Sequence, residues 1–157
     1  MMWKKGGGVG LKEIFCGGTT PRPEELRGYY EVRLVTPLLP EIRFFGHRKF
    51  FPDNAAVEDG GPGGYNEFFG MIRIGSFKIS ARDSVLGDGQ KVLHINYNRR
   101  GNSFLLKTLN DEVKRIGDGH YLGRGVFRIG RLVFSSFYFS VRKSIGPPVP
   151  PRGHDNK

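Results

Sequence analysis

The most constraining feature of the sequence is a pair of alternating segments joined by a glycine. In residues 120–129 and 132–142, one face consists mainly of apolar residues and glycine, with the period of two that is typical of a β-strand. Gly130 between them favours a tight hairpin turn. Residues 91–98 alternate in the same way, with one apolar face and one mostly polar face. These segments predict antiparallel strands that pack one face in a core.

The stretch between these strands predicts one amphipathic helix. Its apolar residues recur at spacings of three and four and would form a single stripe: Leu106, Leu109, Val113 and Ile116. Asn102 or Ser103 is the expected N-cap of a helix over residues 103–116, and Gly117 is its expected C′ residue.

Composition favours a sheet with many turns and an aromatic core. The 157 residues include 24 glycines and 13 phenylalanines. We therefore predict a β-rich α+β fold, a strongly curved antiparallel sheet or small barrel, with the helix at about 103–116 packed on it or capping it. The domain organisation that we expect is a flexible N-terminal arm (1–10), one β-rich domain (11–145) and a proline-rich disordered tail (146–157).

Several classes of protein find no support in the residues. Cys16 is the single cysteine, which excludes an intrachain disulfide and a multi-cysteine zinc site, and the four histidines show no metal-ligand spacing. We predict no metal, no cofactor and no assembled catalytic set. No stretch approaches the about 20 apolar residues of a membrane-spanning helix, and no secretory leader is recognised. A soluble, cytoplasmic protein is the expectation.

A pocket inside the sheet is the leading functional prediction. In a barrel, the alternation of residues 91–98 would aim His94, Asn96 and Asn98 at the lumen as polar anchors, although a solvent-facing polar face explains the same pattern. Gly123 and Gly125 leave space above their strand, either for a ligand or simply for a bend. The apolar walls of the predicted pocket are Tyr121, Phe127, Phe137 and Phe139.

The segment 42–51 carries a second, electrostatic prediction. The chain has a formal net charge of +10, and this segment places basic residues between two pairs of phenylalanines. Such a composition is suited to stacking bases beside phosphates or to contacting an anionic membrane. An ordinary strand, with phenylalanines inside and arginines outside, explains it equally. The candidate polyanion-binding residues are Arg43, His47, Arg48 and Lys49.

Two short stretches resemble the lipocalin and calycin superfamily. In that superfamily the first strand begins with Gly-x-Trp after a short helix, and an arginine of the last strand packs over the tryptophan. Here Gly28-Tyr29-Tyr30 follows a short predicted turn, Tyr30 stands at the tryptophan position, and Arg142 lies on the last predicted strand. The resemblance implies a small barrel that holds an apolar ligand.

Three functional hypotheses follow from these observations. The first is non-enzymatic binding of an apolar or amphipathic small molecule, such as a lipid, in a sheet or barrel pocket. The second is electrostatic binding of nucleic acid or an anionic membrane through the segment 42–51. The third is an enzyme of unknown reaction that uses His94 in a lumen.

Overall fold

Eight antiparallel strands close into a barrel in which every strand pairs with its neighbours in sequence and the last pairs with the first. The computed structural model describes residues 10–36, 42–52 and 63–144, with the backbone alone at 43–45. The elements are α1 (Leu11–Gly17), a 3₁₀ turn (Pro23–Glu25), β1 (Gly28–Val35), β2 (Ile42–Phe51), β3 (Gly63–Phe68), β4 (Ile72–Asp83), β5 (Lys91–Asn96), α2 (Phe104–Thr108), β6 (Leu109–Gly117), β7 (His120–Ile129) and β8 (Leu132–Lys143).

This order confirms the predicted β-rich fold, and in particular the small barrel. The alternating segments at 91–98, 120–129 and 132–142 correspond to β5, β7 and β8. Closure leaves no strand with an unpaired edge. The predicted arm and tail, residues 1–10 and 146–157, lie outside the described residues except for Gly10. Within the described ranges, no helix has the length and apolar character needed to cross a membrane.

The up-and-down order of the strands gives the barrel two distinct ends. Because consecutive strands run in opposite directions, the β3–β4, β5–β6 and β7–β8 connections meet at one end, which we call the α2 end after the helix it carries. At the opposite end the lumen is filled by side chains of the core. Tyr30 there meets Phe51 and Tyr121 edge to face, at ring-centroid distances of 5.5 and 5.9 Å, and the fully buried Leu26 packs into the same cluster.

The predicted helix over 103–116 is the main correction. Ser103 does cap a helix, since its hydroxyl accepts a hydrogen bond from the Leu106 amide, but this helix ends at Thr108 and β6 follows directly. In β6 two acidic residues, Asp111 and Glu112, take buried positions on opposite faces of the strand. The remaining apolar residues therefore do not alternate, and their spacing resembles that of a helix. Each acidic residue has an ion-pair partner on another strand, so β6 needs no simple apolar alternation.

The helix packed on the outside of the barrel is instead α1. Phe15 is fully buried there and forms a small cluster with Val92 of β5 and Leu122 of β7. The guanidinium of Arg124 lies 4.4 Å from the centroid of the Phe15 ring and donates to Glu112 at 2.7 Å. This N-terminal helix therefore covers a buried ion pair on the outer face of the barrel.

The barrel agrees with the calycin resemblance only at the level of architecture. Tyr30 points into the lumen cluster, as does Val141 of β8. Arg142 follows Val141 and so lies on the opposite face of the strand, where its Nε is 3.4 Å from Nε2 of His120. The predicted packing of this arginine over Tyr30 is therefore replaced by an outward position.

Two aromatic rings occupy the space that the glycines of β7 leave. Phe139 and Phe137 of β8 lie directly opposite Gly123 and Gly125, and their rings cross the glycine backbone so closely that an added methyl group would overlap them. Neither glycine has a positive φ angle, so ring packing, not turn geometry, explains the choice of residue.

Gly123→Ala should therefore lower the free energy of unfolding by about 1–3 kcal/mol, the usual cost of overpacking. The measurement is urea denaturation followed by circular dichroism. Gly17→Ala is the matched control, because nothing lies within 4 Å of the added methyl group in α1. Equal stability of the two variants would contradict the role assigned to the Phe139 ring.

Candidate functional site

The α2 end of the lumen holds a cavity of about 530 Å³. Its apolar walls come from six strands and from α2, which lies at its mouth. The wall residues are Val32, Leu34, Phe68, Ile74, Leu106, Leu109, Phe127, Phe137 and Phe139. A cavity of this volume and lining falls in the range of small-molecule sites. A depression of about 660 Å³ between α1 and the end of β6 lies outside the barrel and is open to solvent.

The floor of the cavity is a polar cluster around a buried lysine. Lys49 of β2 is 1% exposed, and its Nζ donates to Asp111 Oδ2 and to Asn66 Oδ1, both at 2.9 Å, and to the Tyr97 hydroxyl. Tyr97 in turn donates to Asp111 Oδ2 at 2.8 Å. All three N–H groups of the ammonium are thereby used. We call Lys49, Asp111, Tyr97, Asn66 and His47 the lysine cluster.

The hydrogen-bond directions within the cluster can be assigned from Lys49. An ammonium only donates, so the Asn66 atom facing it is the carbonyl oxygen. The same oxygen lies 3.0 Å from Nε2 of His47, which must therefore carry the proton and leave Nδ1 as an acceptor. Burial, followed by the charge of Lys49, lowers the pKa of His47 to about 4. His47 is thus neutral at physiological pH.

Two further features complete the electrostatics of the cluster. Burial, followed by the charge of Asp111, raises the pKa of Tyr97 well above its ordinary value, so the phenol stays protonated. The Asp111 oxygen that does not face Lys49, Oδ1, is buried and has no hydrogen-bond partner among the described residues. Asp111 is a lining residue of the cavity, so an unsatisfied acceptor belongs to a residue at its floor.

In the structure most of the predicted wall residues line the cavity, whereas the predicted polar anchors lie elsewhere. Phe127, Phe137 and Phe139 line the cavity, whereas Tyr121 belongs to the packed core below it. That any of them contacts a ligand stays a prediction.

The polar side chains of 91–98 lie on the face of β5 opposite the lumen. His94 shares that face with Val92, which packs under α1, while Leu93 and Ile95 pack inside. Nε2 of His94 lies 2.9 Å from Asn110 Oδ1, and burial lowers the pKa of His94. Asn96 accepts from the backbone amide of Asn98, which is exposed. The assignment of faces is therefore corrected: the apolar residues of β5 face inward because they fill the core.

The proposed polyanion-binding segment is divided between the two faces of β2. His47 and Lys49 point into the lumen. Arg48 points outward, forms an ion pair with Glu67 and lies 4.5 Å from the centroid of the Tyr29 ring. The backbone of Arg43 pairs with β1, and its side chain is outside the described residues. His47 and Lys49 consequently cannot join Arg48 in one basic surface.

The lysine cluster, at the centre of the site, is not predicted by the sequence. The sequence predicts Lys49 on a surface and Asp111 in a helix, whereas both are buried in the lumen. One signal was present in the sequence. Lys49 and Phe51 are two positions apart on a strand and so lie on the same face, which indicates that Lys49 points inward with the phenylalanine. Its partners are 17, 48 and 62 positions away, a distance at which local patterns carry no information.

Comparison of the chain with protein-family models, with curated proteins and with solved structures found no match in any of the three.

Removing one partner of the buried ion pair should strongly destabilise the barrel. Lys49→Met leaves the Asp111 carboxylate buried without its counterion, for which we expect a loss of about 3–5 kcal/mol in the free energy of unfolding. The double variant Lys49→Met/Asp111→Asn removes both charges and should recover most of the loss. Urea denaturation of both variants is the measurement; a single variant as stable as the unmodified chain would contradict the prediction.

Acid should destabilise the protein through His47. Because the pKa of this side chain falls from 6.5 in the unfolded chain to about 4 in the folded one, the unfolded chain binds the extra proton in that interval. Stability is unaffected above pH 6.5 and decreases as the pH falls towards 4, by roughly 3 kcal/mol in total.

The experiment is urea denaturation at pH 7 and at pH 4 for the unmodified chain and for His47→Gln, which should lose much of the acid dependence. His94→Gln is the control, since it retains the contribution of His47. A His47 resonance that titrates near pH 6.5 in NMR would refute the assignment.

Proposed function

We propose that the barrel binds a small apolar molecule that carries a hydrogen-bond-donating group, such as a hydroxyl, at one end. The observation that carries the proposal is the cavity of about 530 Å³ with apolar walls and the lysine cluster as its floor. Apolar walls supply affinity by removing hydrocarbon from water, and a few polar groups at one end fix orientation.

The preference for a donating group follows from the hydrogen bonds already made. Lys49 and Tyr97 use all their N–H and O–H groups within the cluster, and His47 Nε2 donates to Asn66. Asp111 Oδ1 has no hydrogen-bond partner among the described residues, and His47 Nδ1 carries no proton, so both are acceptors; Asn66 Nδ2 donates to the Gly75 carbonyl at 3.3 Å. A ligand that donates a hydrogen bond satisfies the buried carboxylate oxygen, whereas a ligand that can only accept does not.

The charges of the lysine cluster also favour a neutral ligand over an anionic one. The ammonium of Lys49 is neutralised by Asp111 at 2.9 Å, and His47 is neutral because its pKa is about 4. An incoming carboxylate would meet Asp111 without a cation of its own, and burial of an unpaired anion is costly. An alcohol therefore fits the floor of the cavity better than a fatty acid of the same length.

We expect decanol to bind more tightly than decanoate by about tenfold at pH 7.5, on the order of one hydrogen bond to a charged group. The measurement is displacement of the neutral fluorophore N-phenyl-1-naphthylamine, with native mass spectrometry to detect a retained molecule. Leu106→Trp, which adds an indole on the cavity side of α2, should weaken binding of both. Leu105→Trp is the matched control, because Leu105 is exposed on the same helix.

Asp111→Asn should reverse the preference. The substitution leaves Lys49 without its counterion, so decanoate then supplies the missing negative charge and should exceed decanol in affinity. If this variant is poorly folded alone, decanoate should raise its Tm more than decanol does. Unchanged preference in Asp111→Asn, or equal binding to Leu106→Trp and Leu105→Trp, would refute the site.

A further inference from the structure

The α2 end of the barrel exposes an unusual number of apolar side chains. Met71 follows β3 and is 69% exposed, Phe104 in α2 is 76% exposed, and Leu132 after the β7–β8 turn is 67% exposed. Among the described residues, every exposed large apolar side chain except Leu86 belongs to this end. We call residues 69–74, 104–105 and 129–134 the apolar rim. Exposed apolar side chains gathered at one end of a domain are typical of an interaction site.

The charges in the three connections that carry the apolar rim have one sign. The three connections that carry the rim, residues 69–76, 98–108 and 128–136, contain no aspartate or glutamate. The exposed basic residues in these connections are Arg73, Arg100, Lys107 and Arg131. At the opposite end of the barrel, exposed acids such as Asp83 and Asp118 lie among the basic residues. The positive surface is therefore concentrated where the apolar side chains are.

We propose that the α2 end docks on an anionic lipid bilayer. The apolar side chains of the rim enter the boundary between headgroups and acyl chains, and the exposed arginines and lysine contact the anionic headgroups. The rim lies at the mouth of the cavity, since the rim residue Ile74 belongs to the cavity wall, as does Leu106, which follows the rim residue Leu105. Docking in this orientation would let an apolar ligand pass between bilayer and lumen without crossing water.

A bilayer fits this surface better than the other occupants do. A second copy of the chain that used the same rim would bring like charges, Arg100 and Arg131 of both copies, into one interface. Nucleic acid would match the charge but not the aliphatic tips Met71, Leu105 and Leu132, which cannot stack on bases as aromatic rings do. Only a lipid surface combines negative charge with an apolar layer beneath it.

The test is co-sedimentation with vesicles of phosphatidylcholine alone and with about 30% phosphatidylserine, at low and at physiological salt. We expect binding to the anionic vesicles, weakened by salt. Arg100→Gln/Arg131→Gln should lower the affinity about thirtyfold, which corresponds to about 1 kcal/mol for each charge removed. Lys12→Gln/Lys143→Gln removes the same charge from exposed positions elsewhere and should leave binding largely unchanged.

Phe104→Ser/Leu132→Ser tests the apolar part, because it should weaken vesicle binding while leaving the net charge constant. Three results would overturn the proposal: equal loss in the rim and control pairs, full binding by Phe104→Ser/Leu132→Ser, or a rim variant that changes the mass of the protein in solution, which would assign the rim to a second copy.

Docking does not depend on the proposed ligand. Leu106→Trp, deficient in ligand binding, should still sediment with anionic vesicles, so the two proposals fail separately.

Discussion

A buried ammonium is the constraint on which the interior of the barrel depends. A charge that leaves water without a partner costs several kcal/mol, so Lys49 needs a carboxylate and an acceptor for each of its N–H groups. β3 supplies Asn66, β6 supplies Asp111, and Tyr97 follows β5. One side chain of β2 thus fixes the positions of three others around the lumen. A shift of any of these strands by one residue would turn a partner to the outer face, so the cluster also specifies register.

The need of a buried charge for partners also accounts for the two adjacent acidic residues of β6. Asp111 points inward to Lys49, and Glu112 points outward, where it accepts from Arg124 at 2.7 Å and from the Val85 amide at 2.7 Å. The inward ion pair ties β6 to β2 across the lumen, and the outward one ties it to β7 and to the loop after β4. Each carboxylate is buried with partners, and this lets a strand with charges on both faces hold a central position in the sheet.

Local pattern predicted the strands but not the site. β5, β7 and β8 were found because their inward residues repeat at period two, and the hairpin at Gly130 needed only a turn residue. The pattern of β6 predicts a helix because it is set by ion pairs with other strands and not by apolar alternation. The lysine cluster was missed for the same reason: Lys49 is an ordinary basic residue until closure of the barrel brings Asp111 to 2.9 Å. Closure itself follows from the pairing of β1 with β8, which no local feature encodes.

In the proposed function, stability and ligand choice are coupled at the lysine cluster. The packed half of the lumen ends at Lys49 and its partners, and the cavity begins there, so the same contacts support the core below and present acceptors above. A substitution that freed an N–H of Lys49 to receive an anionic ligand would have to remove one of its present acceptors, and the buried charge would then be less well paired until the ligand arrived. A barrel of this design can therefore gain affinity for anions only by losing stability in the free state. In the proposed function, retaining the full set of contacts keeps the free barrel stable and favours molecules that bring their own donor.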